Sequence, residues 1–296
     1  MQTLTVFTPT YNRAYTLKKC YESLTRQTSQ DFKWLIIDDG SNDNTEDLIQ
    51  SWIKENKIEI KYVYQKNAGM HAAHNTAHKL IKTELCVCCD SDDYLADEAV
   101  RKIVSTWKNK GGNKHSGIIG LDANPNDEIN AELPPKLKET TLYDLRYKYK
   151  IRGDFKLVYR TDLMKKEYYP INSGENYLPI GYKYFKIDKD FKMITLDEIL
   201  CYVEYLPDGG TNNKMKLYEK APKGFAHYRK EVMKVAPDFS VRLREAIHYV
   251  SSSILSKNKR YIHESPKKLE TVLATPAGLA LFIYIKCRNK SKEKYE

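Results

Sequence analysis

Leu85-Cys86-Val87-Cys88-Cys89-Asp90-Ser91-Asp92-Asp93 runs an apolar segment straight into three carboxylates. A short apolar run with polar ends reads as a buried strand. The pattern recurs upstream, where Leu4 to Phe7 runs into Thr8-Pro9-Thr10-Tyr11-Asn12-Arg13, and Trp34 to Ile37 into Asp38-Asp39-Gly40-Ser41. Ile58 to Tyr64 reads as a further strand. Helical spacing fills the gaps: Leu17, Cys20, Tyr21 and Leu24; Leu48, Ile49, Trp52 and Ile53; Ala73, Ala77, Leu80 and Ile81. Val100, Ile103, Val104 and Trp107 continue it downstream. The alternation predicts an α/β fold, a mostly parallel central sheet flanked by helices. Such sheets bind ligands at the carboxyl ends of their strands, which would gather the three polar clusters on one edge.

Three carboxylates within four residues repel one another unless a cation sits among them. A divalent ion held by one or two carboxylates and by substrate phosphates satisfies that demand, and as a Lewis acid it would neutralise a departing diphosphate. The competing reading is a solvated acidic turn at a helix start. Asp38-Asp39-Gly40-Ser41 is open to two readings as well. It is either a turn capped by Asn42 or Asn44, or a carboxylate placed to accept from a base N–H or a ribose hydroxyl.

Beyond residue 110 the periodicity weakens. Gly117 to Leu121, Lys156 to Arg160 and Ile199 to Tyr205 read as strands, and Asn124-Pro125-Asn126 and Pro134-Pro135 as turns. Helices are expected over Tyr218 to Ala236, Val241 to Leu255 and Ala277 to Ile285. The last is too short to cross a bilayer, which takes roughly 20 residues. Met1 leads directly into a strand-like run, so no leader is expected and the protein is expected in the cytoplasm. The 296 residues carry a formal charge of +10. From Lys214 onward, 19 Lys and Arg face 8 Asp and Glu, whereas residues 1–213 carry 30 against 31. That asymmetry points either to an anionic partner at the C-terminal end or to solvated helix faces. The six cysteines lack paired zinc spacing and read as small core residues in a reducing compartment.

Thr8 to Arg13, Ile36-Ile37-Asp38-Asp39-Gly40-Ser41, Lys66-Asn67-Ala68-Gly69 and Asp90-Ser91-Asp92-Asp93, in this order, resemble the successive signatures of family 2 glycosyltransferases. The resemblance covers the first ~110 residues. It implies a GT-A fold, a nucleotide-diphosphate sugar donor (most often a UDP-sugar), Mn2+ or Mg2+, and inversion at the anomeric carbon. By motif, Pro9, Thr10, Tyr11, Asn12 and Arg13 would line the nucleotide pocket, and Asp39 would contact the base. Asn67, Gly69 and the segment reaching His71 and Asn75 would pass the ribose and diphosphate. Asp90 and Ser91 would touch the ribose or metal, and Asp92 would ligate the metal. After Gly69 the chain departs from the commonest pattern, with His74 before Asn75 where many members carry Arg. His71 and His74 either bond a phosphate or sugar hydroxyl or sit on an exposed helix turn.

The acceptor side is thinner. The family's Glu-Asp pair has its nearest match in Gly174-Glu175-Asn176-Tyr177, which leaves Glu175 as the candidate base, and Asp154 and His74 as acceptor contacts. The segment Glu175 to Gly210 resembles one branch of the family, in which a stretch like Val203 to Gly210 follows the base region. The expected layout is a GT-A domain over 1–213, with a nucleotide-sugar half over 1–110 and an acceptor half over 111–213, followed by a basic helical extension over 214–296. Leu279, Phe282, Ile283 and Tyr284 beside Lys286, Arg288, Lys290, Lys292 and Lys294 suit either an anionic membrane surface or packing on the catalytic domain. By family habit the acceptor would be a lipid-linked saccharide for a surface polysaccharide. Two other classes fit the residues less well. A sugar-nucleotide nucleotidyltransferase favours a Gly-rich loop after the first strand, and Thr8 to Arg13 holds no glycine. A membrane- or nucleic-acid-binding module would use the basic tail, but no defined aromatic-basic motif supports nucleic acid.

Overall fold

The structure, a computed structural model, describes residues 2–172, 174–204 and 214–293. It divides into two compact units, Met1–Tyr168 with Asp190–Glu204, and Tyr169–Lys189 with Tyr205–Glu296.

The first unit runs β1 (Leu4–Thr10), α1 (Ala14–Thr25), β2 (Phe32–Asp38), α2 (Thr45–Glu55), β3 (Ile60–Tyr64), α3 (Met70–Leu80) and β4 (Leu85–Cys88). It continues with β5 (Tyr94–Leu95), α4 (Ala99–Lys110), β6 (His115–Ala123), β7 (Glu139–Thr140), a π-helical turn at Asp144–Lys148, β8 (Phe155–Arg160), α5 (Thr161–Met164) and β9 (Lys192–Tyr202). The strands form one sheet in the order β3-β2-β1-β4-β8-β6-β9-β5, with β7 also on β9. The first four strands pair parallel. β8 lies antiparallel between β4 and β6, and β9 runs parallel to β6. β1 to β4, β6 and β9 therefore point the same way and β8 the other. One edge of the sheet collects the carboxyl ends of the parallel set and the amino end of β8.

β1 is longer than expected. Its ladder with β2 runs to Thr10↔Asp38, so Thr8, Pro9 and Thr10 are strand residues. Thr8 is buried and accepts the Trp34 indole N–H at 2.9 Å. Beneath the ladder, Tyr21 stacks on Trp52 with ring centroids 4.3 Å apart, and Trp34 lies 6.0 Å from Trp52. This aromatic group joins Leu4, Val6, Leu17, Leu24, Val87 and Ile103 in one core, which fixes the register of every strand that reaches the edge. β9 starts seven residues earlier than read from sequence: Lys192 to Thr195 already pair with β6, but its burial runs in pairs rather than alternating, along a ladder with register shifts, so the periodicity does not show in the chain. Tyr205 to Gly210 of the branch-like segment lie outside the described residues.

The second unit contains α6 (Tyr182–Ile187), α7 (Lys214–Lys220), α8 (Pro222–Val235), α9 (Phe239–Leu255), α10 (Tyr261–Glu264) and α11 (Lys268–Glu293). The single helix expected over Tyr218 to Ala236 is two, because Pro222 starts a new helix, where its missing N–H has no intrahelical partner to lose. The Ala277 to Ile285 expectation is corrected further. α11 spans 26 residues through Pro276, and its stretch Lys268–Asn289 is long and apolar enough, by length and composition, to cross a membrane. Its inner face is nevertheless committed to protein: Thr271, Ala274, Ile285 and Asn289 are buried, and a side chain added at Gly278 would meet Val250 at 2.6 Å.

Candidate active site

The loops after β1 and β2 are sewn together. The Asn12 N–H donates to Ser41 Oγ at 2.9 Å, and the Asn42 N–H donates to Asn12 Oδ1 at 2.8 Å. Asp43 accepts from Thr45 N–H with one oxygen and from Ala14 N–H with the other. Asp43, rather than Asn42 or Asn44, is therefore the side chain that satisfies the start of α2, and it holds the start of α1 as well. Sequence favoured the asparagines as good capping residues, and the longer reach to Ala14 is visible only in the fold. Tyr11 stands at the rim, about half exposed, and Arg13 lies over the Tyr15 ring.

Asp39 is the hub of the next layer. Its carboxylate is buried and accepts from Gln65 Nε2 at 2.6 Å, Ala68 N–H at 3.0 Å and Gly69 N–H at 2.7 Å. Asn67 Nδ2 donates to the Asp39 carbonyl at 2.8 Å. Gly40 has φ +88°, and a Cβ there would meet Asn67 N at 2.8 Å, so the close approach needs glycine. Gly69, at φ +92°, then opens α3. His71 and His74, on its first turns, are both buried, so the exposed-turn reading is overturned. Neither ring nitrogen of His71 has a hydrogen-bond partner, and neither has Thr10 Oγ1. Burial pushes the His71 imidazole below its ordinary range against the pull of Asp39, so it is neutral at pH 7. Asn75 is half-buried on the same helix.

At the end of β4 the acidic residues separate into two layers. Asp90 is exposed and Asp92 half-buried, while Ser91 and Asp93 are buried. The turn is closed by Asp93 N–H donating to the Asp90 carbonyl at 3.0 Å, and Cys88 Sγ donates to Asp90 Oδ1 at 3.3 Å. Burial pushes the Asp93 carboxyl upward, Lys156 pulls it back down, and Asp90 and Asp92 push it further up. Asp122, at the end of β6, is pushed to about 6 by burial, again against Lys156. Sequence reading missed Asp122 and Lys156. Asp122 carried the same signal as Asp38 and Asp90, an acid closing an apolar strand. Lys156 carried no such signal, because only strand pairing brings it here. Asp154 is exposed and lies 3.9 Å from Arg146.

Glu175 belongs to the second unit and is buried. Its two carboxylate oxygens accept the N–H groups of Lys223 and Gly224, at 3.0 and 2.9 Å, at the start of α8. A cleft of about 680 Å³ lined by Lys110, Lys114, His115 and Lys136 lies at the opposite edge of the sheet, and none of the expected site residues lines it. Among the described residues, no three His, Cys, Asp or Glu side chains converge as a ready ligand set. Asp90 and Asp92 offer hard oxygen ligands on an accessible rim, which fits an ion that completes its shell with diphosphate oxygens.

A family model described as glycosyl transferase family 2 matches residues 5–165. The chain is 32% identical over 143 residues to a validoxylamine A glucosyltransferase of Streptomyces hygroscopicus subsp. jinggangensis, covering 45% of this chain and 33% of that one. It is 35% identical over 105 residues to a chondroitin synthase of Escherichia coli, covering 36% and 15%. The chain thus spans a third or less of the length of these relatives. Among solved structures it resembles S. aureus TarS 1-349 in complex with UDP-GlcNAc, with TM-score 0.61 and 20% identity, covering 96% of this chain and 81% of that one. It also resembles the mannosyltransferase PcManGT from Pyrobaculum calidifontis in complex with GDP-Man and Mn2+, with TM-score 0.54 and 15% identity, covering 97% and 83%. At these identities the structural likeness shows the GT-A fold.

Proposed function

The chain belongs to glycosyl transferase family 2, and on that premise we propose that it moves a sugar, with inversion, from a UDP-sugar to a hydroxyl of a saccharide acceptor in surface-polysaccharide synthesis. The observation that carries this reading is the arrangement at one sheet edge: the stitched loops around Asp39, the unpartnered His71 and Thr10, and the outward pair Asp90 and Asp92. Tyr11 supplies a ring face for the base, and Asp39 Oδ2, whose second bond is only the longer 3.3 Å arm from Ala68 N–H, is the oxygen that can accept a base N–H. A neutral His71 offers one donor and one acceptor to the ribose or diphosphate. The half-buried amides of Asn67 and Asn75 suit sugar hydroxyls.

A divalent ion bound with the diphosphate, Mn2+ or Mg2+, supplies charge neutralisation of the leaving group. Asp92 and Asp90 are the residues that would hold it. UDP and UDP-GlcNAc in the TarS complexes, and Mn2+ in PcManGT, support this reading of donor and ion. Glu175 remains the candidate base, because each oxygen keeps lone-pair capacity beyond its helix-start bond. Asp154 and His74 remain candidate acceptor contacts.

The acceptor is proposed to be lipid-linked, and the protein to work peripherally on the inner face of the cell membrane. Support comes from α11, whose open face carries Leu269, Val272, Leu273, Leu279, Ile283 and Tyr284. No charged residue falls between Glu270 and Lys286, and Lys267, Lys268, Lys286 and Arg288 stand at the two ends. An apolar face flanked by cations suits a helix lying in an anionic interface.

The test of the donor is a thermal-shift screen of UDP, GDP, dTDP and CDP sugars with Mn2+, followed by transfer assays of wild type and Asp92→Ala. Stabilisation by UDP-sugars and loss of transfer in Asp92→Ala are expected. Full transfer by the variant would remove the metal role from Asp92.

A further inference from the structure

One cation lies inside the acidic rim. Lys156 is the second residue of β8, the strand that runs against its neighbours, and its register partner on β6 is Gly120, two residues before Asp122. The Lys156 side chain is only 10% exposed, and its ammonium lies 3.8 Å from Asp93 Oδ2 and 3.8 Å from Asp122 Oδ1. It also donates to the Cys88 carbonyl at 3.4 Å, at the last residue of β4. The two acids it pairs with are themselves buried, with side chains 8% and 5% exposed. A lysine is rarely taken this far from water without paired carboxylates.

We infer that Lys156 is a positioning residue for the donor: it neutralises Asp93 and Asp122 from the protein side, and so leaves Asp90 and Asp92 to the ion and the diphosphate. The inference rests on the donor reading given above. Repulsion among the acids is answered in two layers by two different cations. The inner one is covalently part of β8 and permanent. The outer one is exchangeable and travels with the nucleotide. Without the lysine, the inner acids would draw the divalent ion inward, away from the position in which it meets the diphosphate. A role confined to holding the fold would not need a charge here, because buried ion pairs are often replaceable by apolar groups of similar volume.

The experiment is isothermal titration of UDP, with Mn2+ present, into wild type and Lys156→Met, with the thermal midpoint of each protein recorded alongside. Metal-supporting residues of this kind change affinity by about 10–100-fold, and a loss of that size is expected in a variant that remains folded. A folded Lys156→Met that binds UDP within about twofold of wild type overturns the inference and leaves the donor reading standing. A wild type that binds no UDP with Mn2+ overturns the donor reading and takes the inference with it. Should Lys156→Met not fold, the triple variant Lys156→Met/Asp93→Asn/Asp122→Asn removes the charges that need neutralising. It is expected to fold and to regain UDP binding. A triple variant that folds without binding UDP, or does not fold, overturns the positioning role.

Discussion

Asp39 accepts the backbone N–H of Gly69 at 2.7 Å, thirty residues away in sequence, and so ties the end of β2 to the residue that opens α3. The carboxylate proposed to bind the base and the turn proposed to pass the ribose are thereby one object. Asp39→Ala strands the N–H groups of Ala68 and Gly69 in a buried position, at about 1–3 kcal/mol for each group left unmade. The expected outcome is a lower urea midpoint together with loss of UDP binding. Asp39→Asn is no rescue, because its amide nitrogen would place a donor against donors. An Asp39→Ala protein with unchanged midpoint would show that the loop holds itself.

Glu175 is proposed as a base, yet both of its oxygens serve the start of α8. Glu175→Gln separates the two roles. The amide retains one acceptor oxygen, so a stability loss of about 1–2 kcal/mol is expected, in the range of a lost helix cap. A base is also expected to show a fall in kcat of about 100-fold or more, with donor KM and UDP affinity preserved. Destabilisation with turnover intact would move the base to another carboxylate.

The buried pair Arg229–Glu245 gives the second unit a defined response to acid. Burial pushes Glu245 up, but the guanidinium of Arg229 and hydrogen bonds from Arg229 and Arg244 outweigh it, and the net position is below the ordinary glutamate range. A depressed folded-state pKa means that the contribution to stability is complete above the unfolded value of about 4.3. It is lost as pH falls through the folded value. Urea midpoints from pH 7 to pH 3 are expected to drop in wild type and to change less in Glu245→Gln, which starts about 3–5 kcal/mol lower because it leaves Arg229 buried without its charge partner. Parallel pH curves for the two proteins would deny the pair this role.

The open face of α11 predicts a salt-dependent attachment to lipid. Leu273→Glu with Ile283→Glu places two acids on that face without touching the buried Thr271, Ala274 and Ile285. Co-sedimentation with vesicles containing anionic lipid is expected for wild type, weakened by salt, and lost in the double variant. Neutral vesicles should hold wild type poorly. Equal retention of both proteins would assign the face to another partner, and concentration-dependent dimerisation lost in the variant would assign it to a second copy.

The first half of the fold was readable because Leu17, Tyr21 and Leu24, and likewise Trp34 to Ile37, carry their periodicity in the chain itself. The same holds for Asp39, Asn67 and Asp92, whose motif context places them at strand ends or on the loops beside them. Legibility failed where a role depends on pairing across the fold. Lys156 reads as the opening residue of an ordinary strand, and only its antiparallel place between β4 and β6 brings it under Asp93. Glu175 gives no sign in sequence of the helix start nearly fifty residues later. α11 was underestimated for a different reason: Thr275, Pro276 and Gly278 interrupt apolarity in the sequence, but they do not interrupt the helix.

The reversal of β8 has one more consequence. Because β8 returns along β6, with Leu121 opposite Phe155, the excursion over residues 124–154 leaves and re-enters at one place on the rim. Closure entropy grows only with the logarithm of length, so doubling such an excursion costs about 0.6 kcal/mol. Evolution can lengthen, shorten or exchange this stretch without disturbing β1 to β4, the strands proposed to hold the nucleotide. On the proposed reading, the choice of acceptor is thus free to drift through this stretch while the donor half of the site stays fixed.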